Sequence, residues 1–287
     1  MNLLKKIRVK LYYLRLDLFR KNLLKKLINY SSTSLGSKYK SEINFLKEHG
    51  LTVFPYSFIK NYSKSEIKIN KIDNLMCVEY FGKNLFFPKN FSHNQIIDYA
   101  YGLFLEQDEL SPHSYNSPIF RIDNDDILLD IGCAEANYSL SMIEQVKKVY
   151  LFEPNEIWIQ PLQHTFSNWK NKVEIFNQRY GDRNELNHPD LSREFLNQNI
   201  LIKIDVDGNE REVLELIEPL FSIAKSVKIA ICTYHQNNDA DDFDNFFKTN
   251  GFQTRFGRGY MLFYYDRQIQ KPYLRPGVLF AYRNMNV

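Results

Sequence analysis

Apolar runs and amphipathic stretches alternate regularly over the second half of the chain. Short runs rich in Val, Ile, Leu and Phe predict buried strands at residues 127–131, 148–152, 172–176, 200–206 and 227–234. Helix-like stretches separate most of them, at about residues 137–146, 156–168, 209–220 and 239–249. Strands that alternate with helices predict an α/β fold: a Rossmann-like, doubly wound and mostly parallel sheet with helices on both faces.

The end of the chain breaks this alternation. The segment FQTRFGRGYMLFYYD has two strand-like runs around Gly257 and Gly259, without a helical stretch between them. A direct turn between two strands makes a hairpin, so we expect the last strand of the sheet to be antiparallel.

The first part of the chain has a different pattern. Helices are predicted over residues 40–49 and 92–107, and MCVEYFGKNLFFP alternates like a hairpin around Gly82. The segment EQDELSPHSYNSP is rich in Ser and Pro and is typical of a linker or a substrate-facing loop. We therefore expect a helical and hairpin N-terminal extension over residues 1–119 and an α/β domain over residues 120–287.

Basic residues are concentrated at the start of the chain. Residues 1–26 hold nine Lys or Arg and one Asp, a charge of +8, so the remainder of this +3 chain carries −5. Leu4, Ile7 and Leu11 follow helical spacing and predict an amphipathic helix. Such a helix can lie on anionic lipid, where each basic residue contributes about 1 kcal/mol; the alternative is a helix packed on its own domain. Because the body of the chain is acidic, nucleic acid is a disfavoured partner.

Run lengths and cysteine spacing exclude several classes of protein. The apolar runs are far shorter than the roughly 20 residues that span a bilayer, and the first residues lack a secretory pattern. The three cysteines lie far apart, without the paired spacing of a zinc or disulfide scaffold. We expect a cytoplasmic protein with peripheral contact at the inner membrane face, and we assign no metal ligand.

The turn after the first strand of the predicted sheet is the clearest candidate for a ligand site. LLDIGCAEANYSL contains one glycine, Gly132, where a pyrophosphate-binding loop normally has two or three. Asp130 and Glu135 flank it and would repel a pyrophosphate, but they suit a ligand that bears an ammonium and a sulfonium. Glu153, 21 residues beyond Gly132, stands where an acid can accept hydrogen bonds from a ribose diol. S-adenosylmethionine is such a ligand.

Three segments in order resemble the FkbM family of S-adenosylmethionine-dependent methyltransferases: DDILLDIGCAEANYSL, KVYLFEPNEIWIQPL and LIKIDVDGNEREVLELIEPL. The resemblance covers about residues 110–287 and implies a methyltransferase sheet with this cofactor. Two positions depart from the family's pattern: Ala136 replaces the last loop glycine, and Asp207 replaces a glutamate. Alanine fits easily if Ala136 begins the helix with φ below zero, whereas cofactor contact with its Cα would weaken binding. We expect binding to be retained.

The cofactor is predicted to contact the loop, the end of the second strand and the turn after the third. The residues are Asp130, Gly132, Cys133, Glu135, Asn137, Glu153, Pro154 and Asp182. Asp182 can hydrogen-bond the adenine amine or be a solvated turn residue. Cys133 is expected to pack as a small side chain, because little near it except the helix start would lower its pKa.

Polar residues follow the fourth and fifth predicted strands at the same sheet edge. We predict that Asp205 and His235 are catalytic, with His235 as the general base. His235 can equally be a hydrogen-bonded loop residue. If the fourth strand continues past Asp205, Asp207 shares its face, and the two could bind a divalent metal or share a proton. Glu210 is expected to stabilise the start of the next helix through its dipole.

The acceptor is predicted to contact Asp207 and the Ser- and Pro-rich segment. Within SPHSY, His113 and Tyr115 bring an imidazole and an aromatic ring close together before the first strand. Such groups suit a sugar-like acceptor.

The main hypothesis is an S-adenosylmethionine-dependent O-methyltransferase that acts on a hydroxyl of a glycan, a glycolipid or a related small molecule. Methyl transfer as the reaction follows from the loop chemistry and the resemblance. The glycan as acceptor follows from the resemblance alone. The alternative is a catalytically inactive binding module of the same fold in polysaccharide assembly. A base-modifying methyltransferase is disfavoured, because the fourth strand ends in IDVDG and not in the Asn/Asp-Pro-Pro-aromatic turn of amine-directed enzymes.

Overall fold

The computed structural model of the chain describes residues 18–182, 192–266 and 268–284. The first residues of the predicted lipid-binding helix, with Leu4, Ile7 and Leu11, lie outside the described residues. Within those ranges, no helix is long and apolar enough to cross a membrane.

The N-terminal part contains helices and a small antiparallel sheet. Residues 18–31 are helical (α1), and α2 spans Lys40–His49. The strands β1, β2 and β3 span Ile69–Ile72, Leu75–Tyr80 and Lys83–Phe87, and α3 spans His93–Glu106. The predicted hairpin around Gly82 is confirmed as the turn between β2 and β3.

A seven-stranded sheet follows. Its strands are β4 Asp126–Ile131, β5 Lys148–Phe152, β6 Val173–Phe176, β7 Asn199–Ile204, β8 Ser226–Cys232, β9 Gln253–Phe256 and β10 Val278–Asn284. The helices are α4 Asn137–Met142, α5 Ile159–Thr165, α6 Ser192–Phe195, α7 Glu210–Ile217, α8 Leu220–Ile223 and α9 Asp239–Thr249. Each predicted strand before residue 235 and each predicted helix between these strands is present, most helices with shorter bounds.

The strand order is β6-β5-β4-β7-β8-β10-β9, and the strands from β4 to β8 are parallel. β10 runs antiparallel to both β8 and β9. The order reverses at β4, whose neighbours β5 and β7 lie on opposite sides, and ligands of such sheets bind at this switch point. The predicted Rossmann-like, mostly parallel sheet with an antiparallel last strand is confirmed.

Side chains alternate between two buried faces along the central strands. On β4, Leu128 packs into one core cluster, and Ile127 and Leu129 pack into another. Helices cover both faces, which is why the strands appear in the sequence as continuous apolar runs. The first cluster also contains residues of the N-terminal part such as Phe87, so segments on both sides of residue 119 share one core. The division at residue 119 stays a prediction.

The C-terminal hairpin lies elsewhere than its sequence pattern indicated. β9 pairs with β10, with Phe256 opposite Leu279, and not with the run after Gly259. Residues 260–265 form a loop, in which Leu262 is buried in one cluster with Leu27 of α1. The apolar side chains of this run cover the N-terminal helices, so their pattern resembles a strand without forming one.

Helix α1 packs on its own chain through its apolar side. Leu23, Leu27 and Tyr30 are buried in the same cluster as the 260–265 loop, whereas Lys21 and Lys25 are exposed. The described end of the basic segment is therefore anchored to the protein and presents lysines to the outside.

Candidate cofactor and acceptor cavity

The loop that joins β4 to α4 has an unusual backbone. Gly132 has a φ of +73°, and a Cβ there would lie 2.0 Å from the Asp205 carbonyl oxygen, so conformation and space both require glycine. Ala134 and Ala136 also have positive φ, at +45° and +58°. The condition under which alanine would fit easily at position 136, a helix start with φ below zero, is therefore not met. Each left-handed alanine costs about 1–2 kcal/mol, so the loop stores strain.

Contacts from two strands hold this loop in place. The Lys203 ammonium on β7 donates to the Gly132 carbonyl oxygen at 2.6 Å. The Ala134 N–H donates to Glu153 Oε2, at the end of β5, at 3.0 Å. The strained backbone thus depends on a buried lysine and on the acid predicted for the ribose.

A cavity of about 650 Å³ opens at the carboxyl ends of β4, β5 and β7. This volume lies in the range of small-molecule sites, about 300–1,000 Å³. Ten of the thirteen predicted site residues line it: Gly132, Cys133, Glu135, Asn137, Glu153, Pro154, His113, Tyr115, Asp205 and Asp207. The structure therefore gathers most of the predicted residues around one space.

Asp130 lies beneath the loop. It is 1% exposed, accepts a hydrogen bond from Ser139 Oγ at 2.6 Å and lies 3.1 Å from Lys203 Nζ. Burial disfavours the charge of Lys203, but Asp130 and Asp205 raise the pKa of its ammonium above the ordinary value. Asp130 therefore supports the loop through Lys203, and its side chain does not form part of the described cavity wall.

Two carboxylates face the cavity beside the strained loop. Burial raises the pKa of Glu135 to about 7 and also raises the pKa of Glu153. Glu135 Oε2 accepts from the Tyr99 hydroxyl at 2.8 Å. Glu153 Oε1 accepts from the Asn155 N–H at 2.7 Å. Both acids are held in fixed positions by groups of the protein.

The wall of the cavity is strongly acidic. Glu106 of α3 is a further acid there, and burial followed by repulsion from Glu135 and Asp205 raises its pKa to about 8. Among the described lining residues, seven carboxyl groups face two cations, Arg179 and Lys203, so acids outnumber cations even when Glu106 and Glu135 are protonated. This balance favours a cationic ligand and repels phosphate groups.

Asp205 follows the carboxyl end of β7 and lies among aromatic and imidazole groups. The Tyr115 hydroxyl donates to Asp205 Oδ2 at 3.0 Å, and His113 Nε2 lies 3.7 Å from the same oxygen. His113 Nε2 also lies 3.1 Å from the Tyr234 hydroxyl. Burial lowers the pKa of His113 to about 4. Burial opposes ionisation of Asp205, but Lys203 and the nearby histidines lower the pKa of its carboxyl.

His235 lies beside the cavity, just after β8. Its Nδ1 is 2.9 Å from Glu210 Oε1, and its Nε2 is 3.7 Å from Asp205 Oδ1 and 3.6 Å from Asp207 Oδ1. Burial disfavours the imidazolium, but Glu210 and Asp205 raise the pKa of His235. Glu210 begins α7 and also accepts from the Val206 N–H at 3.1 Å. Glu210 therefore lies against His235 in addition to its expected place at the helix start.

The remaining predicted residues have mixed surroundings. Cys133 is buried, and burial raises the pKa of its thiol well above the ordinary value, in keeping with a packing role. Asn137 Nδ2 donates to the Tyr80 hydroxyl at 3.3 Å. Asp182 lies in the turn after β6, where its N–H donates to the Arg179 carbonyl at 3.3 Å. Its contact with adenine stays a prediction.

Sequence reasoning missed many residues of the wall, among them Lys203, Tyr99 and Glu106. Lys203 had a signal, since a lysine inside the apolar run ILIKIDV must find a buried partner. Tyr99 and Glu106 had none, because α3 lies outside the segments that resemble the family and reaches the loop only through the tertiary fold.

No protein-family model and no curated protein sequence matches the chain. Among solved structures it is similar to the methyltransferase FkbM from Methylobacillus flagellatus KT, with 19% identity over 64% of this chain and 50% of that chain (TM-score 0.42). It is also similar to an rRNA methylase from Streptococcus thermophilus, with 15% identity over 57% and 90% of the two chains (TM-score 0.39). A third is M. jannaschii TYW2 in complex with AdoMet, with 13% identity over 78% and 89% (TM-score 0.40). Similarity at this level leaves the function to be inferred from the cavity itself.

Proposed function

We propose that the chain is an S-adenosylmethionine-dependent O-methyltransferase whose acceptor is a hydroxyl of a glycan, a glycolipid or a related metabolite. The observation that carries the proposal is the acidic cavity at the switch point, which is lined by Glu135, Glu153 and Asp205. Glu153 suits a ribose diol, and the surplus of carboxylates suits the ammonium and sulfonium of the cofactor.

When bound, S-adenosylmethionine supplies a methyl group activated by its sulfonium. The residues of the chain have to align an acceptor oxygen with that methyl group and exclude water. Tyr115 and Tyr234 are buried and line the cavity together with Asp205. The space beside these three residues is the proposed place of the acceptor hydroxyl.

Asp205 and His235 are the proposed catalytic residues. A hydroxyl is a poor nucleophile and loses its proton as the bond from its oxygen to the methyl carbon forms. Asp205 can orient that hydroxyl from the cavity wall. His235, held by Glu210, can take the proton when its imidazole is neutral, at a pH above its raised pKa.

A neutral polyol is a better acceptor for this cavity than a nucleic acid, because the acidic wall repels phosphates. The exposed lysines of α1, such as Lys21 and Lys25, support a proposed contact with anionic lipid at the inner membrane face. That contact would place a cytoplasmic enzyme next to lipid-linked acceptors.

The second candidate is a catalytically inactive binding module of the same fold. Ala136 favours it, because its methyl group and left-handed backbone take the place of the family's last loop glycine. Thermal unfolding with S-adenosylmethionine and with S-adenosylhomocysteine separates the two cases. A higher midpoint with both supports the enzyme, and no shift with either supports the module.

The proposed activity is tested by incubating glycan and lipid extracts with the protein and methyl-labelled cofactor. We expect label in a glycan or glycolipid fraction with the wild type, and a loss of about 100-fold or more for Asp205→Ala and His235→Ala. Asp241→Ala, an exposed acid on α9, serves as the matched control. Undiminished labelling by both catalytic variants contradicts the assignment, and label in the RNA fraction alone contradicts the acceptor class.

A further inference from the structure

We propose that Asp205, Glu210 and His235 form a binding site for a divalent metal ion at the carboxyl ends of β7 and β8. One carboxylate oxygen from each acid and one imidazole nitrogen lie within 4.8 Å of one another. Ligands held at about 2.0–2.2 Å from one ion lie roughly 3–4 Å apart, so small side-chain shifts close the site. Two carboxylates and an imidazole are ligand types that Mn²⁺ and Zn²⁺ accept.

Buried polar atoms without hydrogen bonds point to a missing partner at this place. The His235 side chain is 6% exposed, and among the described residues its Nδ1 has no hydrogen bond of acceptable geometry, although Glu210 lies close. Glu210 is fully buried, and its Oε2 has no hydrogen-bond partner in the described part of the chain. A buried charged oxygen without a partner is costly, and a cation bound there would remove that cost.

The local charge balance supports a cation. Asp205 and Glu210 each contribute a carboxyl group to the cluster, and Glu210 is fully buried. Lys203 is engaged by Asp130 at 3.1 Å. Two ionised carboxylates would match the charge of a divalent ion.

Asp207 gives this site an open side. Its carboxylate is fully exposed and lies 3.6 Å from His235 Nε2, so it can swing in as a further ligand. Asp205 also lines the cavity, so an ion there would face a bound acceptor.

The role of the ion in the reaction rests on the proposed function. A divalent ion lowers the pKa of a hydroxyl bound to it, so the acceptor would release its proton to solvent water at the open side, and its oxygen would then take the methyl group. His235 then acts as a metal ligand, and the two roles of this imidazole are alternatives that one experiment separates.

The experiment uses the full chain, freed of metal and without cofactor, titrated with Mn²⁺ and followed by the electron paramagnetic resonance signal of the free ion. We expect one Mn²⁺ per chain. His235→Gln, Asp205→Asn and Glu210→Gln should each weaken binding by about tenfold or more. His93→Gln and Asp241→Asn, which change an exposed histidine and an exposed acid, should leave binding unchanged.

A second measurement on the wild type removes the risk that a variant fails to fold. Electron spin echo spectra of bound Mn²⁺ should show coupling to the nitrogen of one imidazole, and this coupling should vanish in His235→Gln. No bound Mn²⁺, binding that His235→Gln leaves unchanged, or bound Mn²⁺ without nitrogen coupling would each overturn the site. A chain that binds S-adenosylhomocysteine but not Mn²⁺ keeps the proposed function and loses only this inference.

Discussion

Two buried lysines lie on the same face of the sheet, at opposite ends of its strands. Lys228 on β8 lies near the amino ends and contacts both oxygens of Asp126, at 2.9 and 2.7 Å. Lys203 on β7 lies near the carboxyl ends, 3.1 Å from Asp130 and 2.6 Å from the Gly132 carbonyl oxygen. The residue types and burial are the same, but only the second pair lies beside a cavity.

The comparison shows that the chemistry of a buried ion pair does not by itself indicate a ligand site. Asp126 is fully buried and also accepts from the Asp123 N–H at 2.7 Å, and neither Asp126 nor Lys228 lines the described cavity. Asp130 and Lys203 instead position the strained loop from Gly132 to Ala136. Position at the carboxyl ends of parallel strands gives the second pair its importance for ligands.

The largest expected effect is on stability at the amino end of the sheet. Lys228→Met leaves Asp126 fully buried without its counter-ion, so we expect the free energy of unfolding to fall by about 3–5 kcal/mol. Denaturant titration measures this loss. The affinity of the folded fraction for S-adenosylhomocysteine should stay unchanged. A loss of affinity would contradict the claim that only the ion pair at the carboxyl ends supports the ligand site.

At the carboxyl end, Lys203→Met should affect both stability and binding. It leaves Asp130 buried without its counter-ion and frees the Gly132 carbonyl, so we expect a stability loss of about 3 kcal/mol or more. The loop then loses its anchor, and binding of S-adenosylhomocysteine should weaken by at least about tenfold, the worth of one such hydrogen bond. Calorimetric titration of the folded variant at low temperature measures its affinity for S-adenosylhomocysteine. An affinity equal to that of the wild type would show that the loop needs no such anchor.

Glu153→Gln should reduce cofactor affinity with a smaller effect on stability. The neutral amide is a weaker acceptor for a ribose diol and for the Ala134 N–H, so we expect a loss of about 1.5–3 kcal/mol in binding free energy. Glu156→Gln, an exposed neighbour, is the matched control. Equal affinity of Glu153→Gln and Glu156→Gln would remove Glu153 from the cofactor site.

The acids of the cavity should make stability depend on pH. The pKa of Glu106 is raised to about 8 and that of Glu135 to about 7, so the folded state holds more protons than the unfolded state above about pH 4.5. These groups therefore lower stability as pH rises from about 5 to 8, by up to roughly 1.4 kcal/mol per unit for each group.

Removing the ionisable group tests the sign of this dependence. Glu106→Gln should flatten the fall in stability between pH 5 and 8, as followed by denaturant midpoints. Glu109→Gln, an exposed acid nearby, should leave the slope as in the wild type. A steeper fall in Glu106→Gln would show that Glu106 is ionised and favourably paired.

The smallest expected effect concerns loop strain at the carboxyl end. Ala136 has a φ of +58°, so Ala136→Gly should raise the free energy of unfolding by about 1 kcal/mol. Thermal unfolding measures the gain. Ala100→Gly, in the middle of α3, should instead destabilise by about the same amount. Destabilisation by Ala136→Gly would show that the methyl group contributes packing that outweighs the strain.

Much of the sheet could be predicted from the sequence because each central strand is buried on both faces. The site could be predicted only where its signals are local. Gly132 and Glu153 each follow a strand, and the 21-residue step between them matches the spacing of a loop and a ribose-binding acid. Asp205 and His235 come after later strands that end at the same edge of the sheet. The sequence left the sign of φ at Ala136 open, because the loop that contains it is held at Gly132 and Ala134 by contacts from distant strands.

Other features arise only from tertiary contacts. Tyr99 and Glu106 reach the cavity because α3 packs over the β4–α4 loop, and no pattern in α3 marks that contact. The run around Leu262 alternates like a strand, although it covers the N-terminal helices. Local periodicity cannot distinguish a strand from an apolar loop that packs on other elements.

The most direct test of the cavity's assignment is calorimetric titration of the wild-type chain at pH 7, once with S-adenosylhomocysteine and once with NAD. The acidic wall and the single loop glycine predict that one S-adenosylhomocysteine binds per chain and that NAD, with its pyrophosphate, does not. Binding of NAD in preference to S-adenosylhomocysteine, or binding of neither, would contradict the account.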